Sequence, residues 1–363
     1  MSLAIAPLVP GDLFETAMRL ATATAARLAA AGDAQARAPL LNAAWDEVTT
    51  LGWPAVLIPE SCGGADGTLQ DLAAIVAGAG RSALPLPLAS VCGVVPAMLP
   101  PAAREAILPR IAAGEWHVAP AFAALHRDPR QAAPDASLHD DELRLKGAVI
   151  GVEAPPQATH VLLQCAVSGA PGLILLPTEG VGIRCSRFER LDGRPSLDLA
   201  IDGASLPRQA LVGVGAGIAV AVDLALVRGA LLTCVDAVSA MGALIEQTVA
   251  YLSARVQFGE TLSRFQALRH NAVDLYAQQE AARALVTRLL ADADDQTLEA
   301  RSVSLAKLHI NRVSRTITQG AVQLHGGMGL TEELAASRLI KRLMMVEFDF
   351  GDQAYHAARV SPV

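Results

Sequence analysis

The sequence predicts a mainly α-helical protein with a β-barrel-like middle domain. Three changes of texture predict it. Residues 1–118 are rich in Ala and Leu at helical spacing; residues 119–212 break into short apolar runs separated by turns; residues 213–363 return to long stretches with few helix breakers. The expected order is an N-terminal helical domain (1–118), a middle β domain (119–212) and a C-terminal four-helix bundle (213–363). A chain of 363 residues, 52% of them hydrophobic, is too long for one ordinary domain and ample for a buried core. Aromatic residues make up only 4%, so Ala, Leu and Val must build that core, and Ala and Leu favour helix.

In the first zone, helices are expected at Leu13–Ala31, Leu40–Leu51, Leu69–Ala79 and Ala102–Ala113, with Gly52 ending the second. Between them, Trp53-Pro54-Ala55-Val56-Leu57-Ile58-Pro59-Glu60 is an apolar connection leading into a turn at Gly63-Gly64. In the second zone, Leu143-Arg144-Leu145-Lys146 alternates as a half-buried strand does. Strands are expected at Thr159–Cys165, Gly172–Leu176, Ser196–Ile201 and Ala210–Val212, with turns at Asp192-Gly193 and Asp202-Gly203. The third zone predicts helices over Ile218–Ala254, Phe265–Ala291, Glu299–Gln323 and Ser337–Phe350, with a turn at Asp292–Gln296.

The net charge of −7 and the lack of a basic run give no nucleic-acid footprint. Cys62, Cys92, Cys165, Cys185 and Cys234 are dispersed, with no Cys-x-x-Cys pair and no metal spacing, so reduced, buried thiols, no metal and a cytoplasmic setting are expected. No signal peptide is read at Met1–Pro7, and the apolar run Gly213–Val222 is too short to span a bilayer.

Two segments carry the chemistry. Arg255-Val256-Gln257-Phe258-Gly259 lies where a long helix stops, and Gly259 can end that helix. Arg255 offers a fixed cationic fork suited to a diphosphate, Phe258 a face for a flat ring. Phe265-Gln266 opens the next helix, where free N–H groups favour an anion. Gln323-Leu324-His325-Gly326-Gly327-Met328-Gly329 follows a helix and precedes Thr331-Glu332-Glu333, which starts another; its glycines let backbone approach a ligand, and Gln323 can read a polar ring edge. Taken singly, the first segment reads equally as a helix C-cap with a surface Arg, and the second as a helix–turn–helix loop.

Together these segments resemble the paired C-terminal signatures of the acyl-CoA dehydrogenase family: Arg255, Phe258-Gly259 and Phe265-Gln266 match Arg-x-x-Phe-Gly…Phe-Gln, and Gln323, Gly326 and Gly327 match Gln-x-x-Gly-Gly. Leu51-Gly52-Trp53…Ile58-Pro59-Glu60…Gly63-Gly64, Arg190-Leu191-Asp192-Gly193 and Leu206-Pro207 resemble further family segments. The resemblance covers nearly the whole chain. It implies FAD and an acyl-CoA thioester as ligands, an electron-transfer flavoprotein or similar acceptor, and a tetramer, either homomeric or α2β2. It also implies a flavin site shared between subunits, with Arg255, Gln257, Phe258, Phe265, Gln266, Gln323, Gly326 and Gly327 as its contacts.

α,β-Dehydrogenation needs a carboxylate base for the α-proton, while FAD accepts the β-hydride. The family's two base locations fall here on Phe350, before Gly351, and on Gly229, beside Arg228; neither is an acid. The family's Thr-Glu-Pro and Trp-Ile-Thr flavin segments are reduced to Val118–Ala123 and Ala148-Val149-Ile150. Glu347, one helical turn before Phe350, is the substitute base candidate if the helix continues, with Lys341 or Arg342 as its ion-pair partner otherwise. Asp349, Asp352 and Asp236 are the other acids nearby. The ending Phe350-Gly351-Asp352…His356 resembles a branch acting on bulky thioesters such as steroid side chains, in which a catalytic chain pairs with one that has lost its base. Two readings follow: a FAD-dependent acyl-CoA dehydrogenase with a displaced base, or a non-catalytic partner subunit contributing to a shared FAD site. Flavin chemistry on a substrate other than a CoA thioester is a third, because fold does not fix reaction.

Overall fold

A computed structural model describes residues 3–31, 33–122, 134–139, 141–293, 298–331 and 334–361. The first helices are α1 (Asp12–Ala30), α2 (Ala34–Thr50) and α3 (Leu69–Gly80). Helix α2 begins earlier than its apolar spacing suggests, because the Asp33 carboxylate caps it, accepting from the Ala36 N–H at 2.8 Å. The sequence reading missed a π-helical turn, Ala89–Val94, that runs into α4 (Val95–Met98); its continuous apolar run carries no helical periodicity. Helix α5 (Pro101–Ala112) completes the set.

The middle strands are β1 (Val118–Ala121), β2 (Asp135–His139), β3 (Glu142–Glu153), β4 (His160–Val167), β5 (Ala170–Pro177), β6 (Ile183–Glu189), β7 (Pro195–Pro207) and β8 (Leu211–Val214). They form one sheet in the order β6-β7-β3-β2-β4-β5-β8, with β1 parallel to the first half of β4. The expected barrel-like closure is corrected: among the described residues β6 and β8 are open edges, each paired on one side only. Strand β6 is largely exposed, and the four-residue β8 leads at once into a helix, so neither edge offers a strand that could close the sheet. The expected turn at Asp202-Gly203 is a β-bulge inside β7. There the register with β3 slips between Leu145 and Lys146, and Gly203 supplies the positive φ of 66° that the extra residue requires. Asp192-Gly193 does form a turn, closed by the Gly193 N–H on the Arg190 carbonyl at 2.9 Å.

The C-terminal zone opens with α6 (Ala216–Ala254), 39 residues long. A two-residue ladder, β9 (Val256–Gln257) with β10 (Glu260–Thr261), leads to α7 (Gln266–Ala291), α8 (Ala300–His325) and α9 (Ala336–Met345). A short α10 (Gln353–Val360), not expected from the sequence, closes the chain. Residues 294–296 of the expected Asp292–Gln296 turn, and Glu332-Glu333 of the expected helix start, lie outside the described residues.

Helix α6 is long and apolar enough to cross a membrane, but 72% of its apolar window is buried inside the fold. It serves as the common spine. Its first turns (Ile218, Val222, Leu226) pack with α4, α5 and Leu162 and Leu173 of the sheet, while its later turns (Leu231, Val235, Leu244) share one core with α1, α2, α3, α8 and α9. The two helical zones therefore fold around a joint core, and the sheet has its own (Leu143, Val149, Leu163, Leu199). The five cysteines are free thiols, four of them buried. Burial pushes the Cys165 and Cys234 thiols up to about 12.

Candidate functional site

Phe350 and Gly229 are far apart in sequence and adjacent in space. A Cβ added at Gly229, in the middle of α6, would lie 2.5 Å from Cδ1 of Phe350. The ring of Phe350 also meets Phe122 edge-on, with centroids 6.3 Å apart. Two positions that count separately to a base thus converge on one spot, and that spot is filled by an aromatic ring seated on a glycine. Gly-to-Ala in a helix interior ordinarily stabilises by about 1 kcal/mol. Here the sign is expected to invert: Gly229→Ala forces the ring aside and costs about 1–3 kcal/mol, measured by urea unfolding. The loss should vanish in a Phe350→Ala background; an equal loss in both backgrounds would contradict the contact.

The loop bearing Phe350 is fixed from three sides. Helix α9 stops at Met345, Val346–Phe348 form a 3-10 turn, and Phe350 takes a left-handed φ of 55°. The expected helix through Phe350 is therefore corrected, and with it the idea that Glu347 shares the face of Phe350. Behind the loop, the buried Lys307 ammonium of α8 donates to the Val346 carbonyl at 2.7 Å and to Asn311 Oδ1 at 3.0 Å. His356 of α10 places Nε2 3.1 Å from the Phe350 carbonyl and Nδ1 3.2 Å from Ser304 Oγ.

In front of the loop lies a buried charge cluster. Arg194 Nη2 and Arg190 Nη2 each contact one oxygen of Asp349, both at 2.6 Å. The same two guanidiniums converge on Glu153 Oε2 at 2.7 and 2.9 Å, and Arg194 Nε meets Asp192 Oδ2 at 2.6 Å. Arg342 of α9 joins through Asp192 at 3.1 Å and Asp236 at 3.6 Å, and also donates to the Leu84 carbonyl. Burial would raise the Asp349 carboxyl, but Arg190 and Arg194 override it and hold it well below the carboxylate range. Burial wins at Glu153 and Asp236, which are raised despite their Arg neighbours. The cavity among these groups, lined by Thr233, Asp236, Glu153, Arg194 and Asp349, measures about 20 Å³, room for one water. Asp349, the acid next to Phe350, is thus an ion-pair anchor held ionised, unsuited to accept a proton near neutral pH.

Glu347 lies elsewhere. It pairs with Arg315 of α8, not with Lys341 or Arg342, and both side chains are partly exposed. This setting differs from the dry, apolar pocket that raises a carboxylate into the range of a general base.

The flavin-type residues lie together on the surface. Helix α6 ends at Ala254, the end of the expected span Ile218–Ala254, so Gly259 turns a hairpin and does not cap the helix. Arg255 is extended, and Phe258 (φ 56°) and Gly259 (φ 81°) form the tip of the β9–β10 hairpin, as a two-residue turn with both φ positive requires. Phe258 is 90% exposed, edge-on to Phe265 at 6.1 Å. Gln266 begins α7 as expected. Gln323, Gly326 and Gly327 are exposed at the end of α8, with open space where a Cβ would stand on either glycine. Tyr251, one turn before Arg255, links the two motifs: its hydroxyl donates to the His325 carbonyl at 3.3 Å, and its ring lies 4.6 Å from that of His325. His325 is a structural residue here, buried with Nδ1 2.9 Å from the Ala321 carbonyl.

The sequence reading did not identify Glu153, Arg194 or Lys307, and named Arg342 only as a partner for Glu347. The basic pair Arg190 and Arg194 around an Asp-Gly turn was a visible signal, but its carboxylate partners are up to 159 residues away.

Comparison with known proteins places the chain in a family. The acyl-CoA dehydrogenase N-terminal domain model matches residues 12–115, and the acyl-CoA dehydrogenase C-terminal domain model matches residues 215–361. The acyl-CoA dehydrogenase IpdE2 of Mycolicibacterium smegmatis is 27% identical over 293 residues, covering 80% of this chain and 78% of that one. Among solved structures, a variant of the Tcur3481-Tcur3483 steroid acyl-CoA dehydrogenase superposes with a TM-score of 0.82 at 23% identity, covering 96% of this chain and 95% of that one. The ChsE4-ChsE5 complex from Mycobacterium tuberculosis gives a TM-score of 0.77 at 17% identity, covering 99% and 100%. Signatures, domain order and fold concur: the chain belongs to the acyl-CoA dehydrogenase family.

Proposed function

We propose that the chain is the non-catalytic member of a heteromeric, FAD-dependent acyl-CoA dehydrogenase, an α2β2 assembly acting on a bulky acyl-CoA thioester such as a steroid side chain. The observation that carries this reading is the Phe350 ring seated on Gly229: both locations for the α-proton base hold groups that cannot accept a proton. The water-sized cavity beside Asp349 adds support, since an acyl chain does not fit there. The names of two similar structures, each a pair of gene products, point the same way.

The residues fit a lent half of a flavin site. Arg255 is exposed and makes no ion pair among the described residues, Phe258 stands out from the hairpin tip, and Gln323 with Gly326 and Gly327 leaves open backbone beside them. An unpaired guanidinium, an uncovered ring and accessible amides suit a diphosphate and its attached ring system. When bound, FAD would supply the hydride acceptor. Arg255, Gln257, Phe258, Phe265, Gln266, Gln323, Gly326 and Gly327 would hold a cofactor whose remaining contacts come from the neighbouring subunit. An electron-transfer flavoprotein or similar carrier would reoxidise it. The exposed Phe258, Val273 and Leu330 would be covered by that neighbour.

The test compares the chain purified alone with the chain co-purified with a base-bearing dehydrogenase subunit. Flavin content and bleaching by acyl-CoA thioesters are measured in both. The expected result is bleaching by the complex only, with flavin affinity of the complex falling about tenfold or more in Arg255→Met. Bleaching by the chain alone, abolished by Glu347→Gln, would instead establish the catalytic reading with Glu347 as base.

A further inference from the structure

A groove of about 1090 Å³ runs between α1, the β6–β7 turn and α9, on the outer side of the charge cluster. One wall is apolar and built of small side chains, Ala25, Ala29 and Leu28 of α1 facing Leu334. The other carries Arg37 and Arg338, whose Nε atoms are both buried without a hydrogen-bond partner. Arg37 has a counter-ion in Glu189 at 3.1 Å. Arg338 has no ion pair among the described residues, and burial together with the nearby Arg37 holds its pKa below the usual arginine value. The other charges of the groove are committed: Arg190 to Glu153 and Asp349, Asp192 to Arg194 and Arg342, and Lys341, also in the lining, has an interaction of its own. Asp33 caps α2.

From this arrangement we infer a ligand site: the groove binds a small amphipathic carboxylate, its head on Arg338 and its apolar body along the alanine face of α1. A half-desolvated cation beside a second cation gains more from an added anion than an exposed one does, because it has already lost part of its hydration and no carboxylate among the described residues pairs with it. The volume lies just above the roughly 300–1,000 Å³ usual for small-ligand sites, and far exceeds what an inorganic anion fills. The groove takes none of its lining from Phe350, Gly229 or the Arg255–Gly327 contacts, so the inference stands whether or not the partner-subunit reading does.

Calorimetric titration of the full chain with dodecanoate, dodecanol and inorganic phosphate tests it. Dodecanoate is expected to bind one per chain, about tenfold or more weaker to Arg338→Met, with no saturation by dodecanol or by phosphate. Ala29→Trp, an exposed position that fills the groove and leaves Arg338 in place, should also abolish dodecanoate binding. The inference is overturned if dodecanoate does not saturate, if both variants bind it as the parent does, or if phosphate alone binds in an Arg338-dependent way.

Discussion

Arg194→Met is expected to destabilise the protein by about 3–5 kcal/mol, a large part of the stability of an ordinary domain. The Arg194 guanidinium is the shared counter-charge of Glu153, Asp192 and Asp349, at 2.7, 2.6 and 2.6 Å. Methionine fills similar volume but leaves three carboxylates around a nearly dry space, with Arg190 and Arg342 as their remaining guanidinium partners. Removing one partner of a buried pair costs more than the pair is worth against an apolar substitute, because the charge left behind is desolvated. Urea unfolding at neutral pH measures the loss. Where Arg194→Met does not accumulate, Asp349→Asn removes one negative charge and should lose less. A cost below about 1 kcal/mol for Arg194→Met would mean the cluster behaves as surface ion pairs do. Because Asp349 adjoins Phe350, the cluster also ties the sheet to the loop on which the base position lies.

Stability is expected to fall as pH drops from about 6.5 toward 3, chiefly through His356. Burial is the largest cause of its low pKa, with help from the Lys307 ammonium, and together they hold the imidazole down at about 3 from an ordinary 6.5; Arg359 also lowers it, and Asp352 and the hydrogen bond to Phe350 oppose. The folded pKa lies below the unfolded one, so the unfolded chain takes up the proton first. The contribution is therefore complete above pH 6.5 and is lost progressively below it, by about 4 kcal/mol at the bottom of the window. Asp349 and Asp192 are also depressed, so their contributions are complete above the ordinary carboxylate range and are lost only at more acid pH, while Glu153 and Asp236, raised by burial, act in the opposite direction. His356→Gln should flatten the stability profile between pH 6.5 and 4 and leave the more acid limb unchanged. An unaltered slope between pH 6.5 and 4 would show that another group carries it.

Much of this protein is determined by its sequence alone. The 3.6-residue spacing of Ala and Leu marks most of the helices, because one buried stripe per helix is a local pattern. The change of period near residue 119 marks the sheet. The Arg255–Gly259 and Gln323–Gly329 motifs are legible because each is a contiguous turn whose glycines and side chains act within a few residues. The absence of an acid at Phe350 and at Gly229 was likewise legible by counting. Only the tertiary structure decided that these two positions are one place, since the ring of one fills the space of the other. It also decided that the sheet stays open, because a strand's second neighbour depends on pairings that local periodicity does not encode. It separated Glu347 from Phe350, because a 3-10 turn and a left-handed residue rotate side chains that an α-helix would have aligned. The cluster of Glu153, Arg190, Arg194 and Asp349 lay beyond the sequence for the same reason: charges on a chain carry no mark of burial, and burial turns them from a solvated surface into an anchor between the sheet and the loop after α9.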